Sequence, residues 1–197
     1  MTKIALGFFV GILLGMSFFL KSVQAQEITT VNNFSLNNEH MEKISLDQFK
    51  DKKAVVVLFT SSNCVWSVRY EERIQHLYEA FKDKDVAFLA VNSNDPSMLN
   101  KDGQTRRTTN PFPFPYLLDE DQAVAKQFKA TKNPEAFVLT YEQDAFQVVF
   151  QGKIDDNPLD SGSARNNYLN EALAALDREQ KLAEAFVRPS GCNIKWK

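Results

Sequence analysis

The most constraining feature of the sequence is Ala54 to Thr60, AVVVLFT, a run of apolar and β-branched residues with no polar alternation. A strand with one face in water alternates apolar and polar side chains. A continuous run of this length belongs to a strand covered on both faces, inside an α/β sheet. Ser61-Ser62-Asn63 breaks the run, and a helical pattern follows in which Tyr70, Ile74, Leu77, Tyr78 and Phe81 share one apolar face. Val86 to Val91, VAFLAV, is a second buried strand. Strand, helix and strand in this order belong to a central sheet covered by helices.

The remaining segments extend that unit. Phe34 to Leu36 and Ile44 to Phe49 read as a short hairpin, with a turn at Asp51 to Lys53. Asp95 to Pro115 is polar and rich in turn formers, an inserted loop with room for one helical turn. Tyr116 to Asp119 reads as a short strand, and Gln122 to Lys129 as a short helix with Val124, Ala125 and Phe128 inward. Glu135 to Thr140 and Phe146 to Gly152 form a hairpin. Tyr168, Leu169, Ala172, Leu173 and Leu176 mark a last amphipathic helix. The expected fold is α/β, a central mixed sheet flanked by helices on both faces.

The N-terminus has the layout of a signal peptide. Lys3 is followed by an uncharged apolar stretch from Ile4 to Leu20, and Val23-Gln24-Ala25 supplies small residues for cleavage after Ala25. The alternative is an uncleaved anchor, against which Gly7, Gly11 and Gly15 and the shortness of the stretch argue. The expected organisation is a leader at 1–25, one domain at 26–187, and a C-terminal tail at 188–197. Export to the periplasm or another extracytoplasmic space follows, without stable membrane insertion after cleavage. A net charge of -2 and the lack of any Lys/Arg run give no footprint for nucleic acid.

Cys64 and Cys192 are the only cysteines, and an exported chain can keep a disulfide. They and the two histidines, His40 and His76, lack the close pairing of a zinc site, so no metal or other cofactor is expected. Cys64 falls between the buried strand and the amphipathic helix. A thiol at that position meets the free N–H groups and positive end of the helix, which favour the reactive thiolate. The bland alternative is a small buried core residue. Pro134, just before an apolar strand, reads by itself as an ordinary loop proline.

The stretch FSLNNEHMEKISLDQFKDKKAVVVLFTSSNC resembles the opening of the redoxin branch of the thioredoxin superfamily. That branch includes the alkyl hydroperoxide reductase/thiol-specific antioxidant proteins and the extracytoplasmic thioredoxin-like reductases. NCVWSVRYEERI, VAFLAVNSND, FPYLLDEDQAVAKQFKATKNPEAFVL, VFQGKIDDNP and GCNIKWK are similar to one subgroup of it, and the likeness spans residues 34–197. The resemblance implies a thioredoxin-like fold. It gives Cys64 the nucleophile's place, Pro134 the place of a cis-proline beside it, and Cys192 the cysteine of the tail motif.

The chain departs from the pattern in several places. Ser67 stands where a dithiol thioredoxin has its second cysteine, and Val65 replaces the proline after the nucleophile. Ser67 can hydrogen-bond a Cys64 thiolate or cap the helix, and capping is the expected role. Of the peroxiredoxin pattern Ser61 keeps a hydroxyl, Val57 replaces a proline, and Arg69, Arg73, Arg106 and Arg107 are the candidate arginines.

Three functions compete. The first is a thiol–disulfide oxidoreductase acting on a protein or small-molecule disulfide, with Cys192 or an outside thiol as resolving group and an unidentified reductant. The second is a peroxidase passing through a sulfenic acid. The third is a non-catalytic binding module or copper carrier, for which soft thiolates would be the ligands. A mobile tail is expected to bring Cys192 to Cys64 only transiently, unless a disulfide pins it.

Overall fold

The computed structural model describes residues 29–98 and 110–197. The leader, Arg106 and Arg107 lie outside the described residues. The long buried run forms strand β4 (Ala54–Phe59) at the middle of an eight-stranded sheet. β5 (Val86–Asn92) lies parallel to it on one side, and β8 (Glu135–Glu142) antiparallel on the other. β6 (Tyr116–Leu118) continues parallel beyond β5. The hairpin of β2 (Ser35–Asn38) and β3 (Lys43–Ser45) closes that edge. β9 (Ala145–Gly152) pairs with β8 across a tight turn in which Gln143 and Asp144 both take positive φ, matching the twist of the flanking strands.

Side chains leave β4 alternately for two cores. Ala54, Val56 and Leu58 meet Tyr70, Ile74 and Phe81 of α1 (Val65–Phe81) and Leu169, Ala172 and Leu173 of α3 (Tyr168–Asp177). Val55, Val57 and Phe59 meet Val124, Ala125 and Phe128 of α2 (Ala123–Phe128) on the opposite face. Burial of one side chain such as Ile74 contributes roughly 1.5–3 kcal/mol. Strands buried on both faces therefore hold helices on both sides, as their composition implies.

The structure departs from the sequence reading in four places. Leu46–Phe49 is a 3-10 turn instead of hairpin strand, with Leu46 buried. An N-terminal strand, β1 (Thr29–Val31), pairs with β9; its three residues are too few to show a period. Two-residue strands β7 (Lys132–Asn133) and β10 (Cys192–Asn193) form a second small sheet. The tail is consequently docked, where a mobile arm was expected.

Candidate active site

β4 ends at Phe59, and the chain turns through Ser61, whose carbonyl accepts the Cys64 N–H at 2.9 Å. That turn makes Cys64 the N-cap of α1, and its carbonyl receives the Val68 N–H at 3.0 Å. Its sulfur thus lies at the positive end of a 17-residue helix and at the carboxyl end of the central strand, where α/β sheets place their sites. Only 2% of Cys64 is exposed.

Cys64 is joined to Cys192 by a disulfide, with Cα atoms 6.0 Å apart and 128 positions between them in sequence. The Asn133–Pro134 bond is cis. The Asn133 carbonyl oxygen lies 3.1 Å from the Cys64 sulfur. In the disulfide this is a sulfur–oxygen contact without a hydrogen, and in the reduced protein the same carbonyl can accept the thiol proton. Cys192 pairs antiparallel with Asn133, and Asn193 with Lys132. The tail strand, the cis-proline segment and the helix N-terminus therefore converge on one sulfur pair. Cys192 keeps partial exposure, so it is the more open partner.

Ser67 is buried and does not cap the helix. Its hydroxyl oxygen accepts the Ser61 N–H at 3.4 Å, bracing the turn that presents Cys64. The capping expectation is corrected because the turn itself places Cys64 at the cap, three residues before Ser67. Ser61 accepts a 2.9 Å bond from Asn94 through its hydroxyl. Arg73 is engaged elsewhere: its guanidinium reaches Asp155 at 2.6 Å and the Asn157 carbonyl at 2.7 Å. Asp155 also accepts the Tyr70 hydroxyl at 2.6 Å. Burial first, and then the Asp155 carboxylate, push the Tyr70 phenol well above its ordinary pKa. Arg69 is exposed on the first turns of α1.

Sequence reasoning missed Asn94, Gln122, Asn133 and Ile194. Asn94 and Gln122 look like loop polar residues, yet both are buried. One available signal was Ile194, an apolar residue between Asn193 and Lys195 in the tail. Gly191, next to Cys192, is constrained by close approach to the Asn133–Pro134 backbone. A Cβ there would overlap the Asn133 carbonyl oxygen and lie 2.8 Å from its carbon, and its φ is +152°.

Sheet order, cis-proline segment and helix-capping cysteine together define a thioredoxin-fold redoxin. Residues 29–156 match the model of the AhpC/TSA family, and the chain belongs to that family. A hypothetical protein from Sinorhizobium meliloti 1021 is 28% identical and superposes with a TM-score of 0.76, covering 86% of this chain and 94% of its own. An uncharacterized conserved protein from Geobacillus kaustophilus is also 28% identical with a TM-score of 0.76, covering 85% and 90%. A putative thiol:disulfide interchange protein DsbE from Chlorobium tepidum, 16% identical with a TM-score of 0.53 over 77% and 95%, shares the fold. No curated protein matches the chain.

Proposed function

We propose that the protein is an exported thiol–disulfide oxidoreductase whose two-electron couple is Cys64 and Cys192. The observation that carries this reading is the meeting of the two cysteines at the N-terminus of α1, against the Asn133 carbonyl. In the reduced protein the helix end favours negative charge on the Cys64 sulfur. That thiolate attacks one sulfur of a substrate disulfide, whose S–S bond breaks as the other sulfur leaves and takes up a proton. The Cys192 thiolate then attacks the Cys64 sulfur and expels the second substrate thiol. The substrate gains two electrons as a dithiol, the protein is left with the Cys64–Cys192 bond, and an external dithiol restores it. An extended substrate segment would pair along Lys132–Asn133, the edge that β10 occupies in the oxidised protein.

Peroxide is the competing electrophile within the same family. Arg73, one of the arginines that could assist it, is tied to Asp155. That engagement supports a disulfide substrate.

Serine variants test the reading with a protein disulfide as substrate and dithiothreitol as reductant. Cys64→Ser is expected to abolish turnover. Cys192→Ser, reduced and then freed of dithiothreitol, is expected to stop after one attack, with the substrate linked to Cys64. Full turnover by Cys64→Ser contradicts the proposal. Accumulation of a dimedone-reactive sulfenate on stoichiometric peroxide, at a rate above that of substrate disulfide attack, moves the function to peroxidase.

A further inference from the structure

Cys192 sits in residues 188–193, a short span whose two ends are fixed by contacts that do not involve its sulfur. Upstream, the Val187 N–H donates to the Gln151 carbonyl at 2.9 Å, and the Gln151 N–H to the Ala185 carbonyl at 2.9 Å. Gly152 leaves room for this approach, since a Cβ there would lie 2.9 Å from the Val187 Cβ. Downstream, Ile194 is 3% exposed and packs into the core on the α2 face. Its N–H donates to the Thr131 carbonyl at 3.1 Å.

Two buried amide side chains complete the downstream anchor. Asn94 Oδ1 accepts the Lys195 N–H at 2.9 Å and the Asn133 Nδ2 at 3.2 Å, while its own Nδ2 donates to Ser61 at 2.9 Å. One side chain thus joins the turn before Cys64, the segment that touches its sulfur, and the tail that carries Cys192. Gln122 donates to the carbonyls of Ser93 at 2.7 Å and Lys195 at 2.8 Å, and accepts the Lys197 N–H at 2.9 Å. The Lys195 carbonyl takes a second bond from the Asp95 N–H at 2.7 Å. Gln122 is itself placed by Asp119, whose carbonyl accepts its N–H at 3.2 Å and whose carboxylate caps the start of α2. None of these bonds uses either sulfur, and the two amide side chains that make them are buried away from competing water.

We infer that Asn94 and Gln122 are positioning residues that hold Cys192 opposite Cys64 as a strap fixed at both ends, independently of the disulfide. This deepens the oxidoreductase reading and rests on its Cys64–Cys192 couple. Only the strap, with Gly191 beside Cys192, has to shift to admit a substrate to Cys64. The residues after it stay docked. The resolving thiol therefore acts at the high effective concentration of a short closed span, where a free tail would dilute it.

The test has two parts. In Cys192→Ser, which cannot form the bond, the amides of Ile194, Lys195 and Lys197 should remain protected from hydrogen exchange. In chains with both cysteines, equilibration against reduced and oxidised glutathione gives the effective concentration of Cys192 toward Cys64. Asn94→Leu and Gln122→Met should each lower it about tenfold, the scale of one buried hydrogen bond. Asn94→Asp, which keeps an acceptor for the Lys195 N–H, should stay closer to wild type than Asn94→Leu. Gln122→Met leaves the turn before Cys64 untouched, so it reads tail positioning even where Asn94→Leu disturbs folding. Free exchange of the three amides in Cys192→Ser, or an unchanged effective concentration in Gln122→Met, overturns the inference. Neither readout uses turnover, so loss of the oxidoreductase reading through an active Cys64→Ser is separable from loss of this one.

Discussion

Replacing Gly191 by alanine should loosen the Cys64–Cys192 couple without altering either cysteine. The new Cβ would overlap the Asn133 carbonyl oxygen, lie 2.8 Å from its carbon and 3.1 Å from the Pro134 nitrogen. All three atoms are backbone, so no rotamer change relieves the contact. Overpacking of this kind costs about 1–3 kcal/mol, and a non-glycine residue held at so unusual a φ costs about another 1–3 kcal/mol. The lower ends sum to about 2 kcal/mol, borne by the docked, oxidised state, because the reduced strap can move away from Asn133. With about 30 mV for every 1.4 kcal/mol in a two-electron couple, the potential should rise by roughly 40 mV or more. The assay is equilibration in a series of dithiol/disulfide buffers, followed by alkylation and intact mass. Gly162→Ala is the control, since a Cβ there meets only an Asp160 carboxylate oxygen at 3.4 Å. A Gly191→Ala potential within about 10 mV of wild type would refute the reasoning, since that shift is under 0.5 kcal/mol.

Other consequences follow from the buried polar groups and the leader. Asp155→Ala leaves the Arg73 guanidinium and the Tyr70 hydroxyl without their shared carboxylate; it should lower unfolding stability in urea by about 3 kcal/mol, and a change under about 1 kcal/mol would show the cluster to be solvated. Because the folded Tyr70 pKa lies above the unfolded one, its contribution to stability is complete below about pH 10 and is lost as pH climbs through the folded value. Subtracting the Tyr70→Phe titration at 295 nm from that of wild type should show no tyrosinate from Tyr70 near pH 10; a normal titration there contradicts its burial against Asp155. Intact mass of protein recovered from outside the cytoplasm should correspond to a chain beginning near Gln26, whereas retention of Met1 in a membrane fraction favours an anchor.

The sheet was legible wherever burial left a period or a continuous run. β4 and β5 carry unbroken apolar runs, and α1 carries its stripe on Tyr70, Ile74 and Phe81. The position of Cys64 at the head of α1 was legible too, because a polar break separates a buried strand from an amphipathic helix there. The tail's docking was not legible. Beside the single apolar Ile194, its anchors are backbone bonds and two amide side chains, Asn94 and Gln122, drawn from segments far apart in sequence. Hydrogen bonds of that sort leave no periodic trace, and a two-residue strand such as β10 is too short to show alternation. Ser67 illustrates the same limit. Its place near a helix start suggests capping, but the fold turns its hydroxyl toward the Ser61 backbone.

Across the 128 positions between the cysteines, a disulfide restricts the unfolded chain by about 5 kcal/mol in the chain-entropy view. A purely structural bond would use that stabilisation and nothing more. The redox account requires the same bond to open and reform in the folded protein. The most direct measurement is differential alkylation with peptide mapping after one cycle. The protein is fully reduced, freed of reductant, given one equivalent of a substrate disulfide and then mapped. The account predicts that both thiols disappear together, that a peptide linking Cys64 to Cys192 appears, and that one equivalent of substrate dithiol is released. Free thiols at both cysteines while the substrate disulfide persists, or a bond that dithiols cannot open without unfolding the chain, would contradict it.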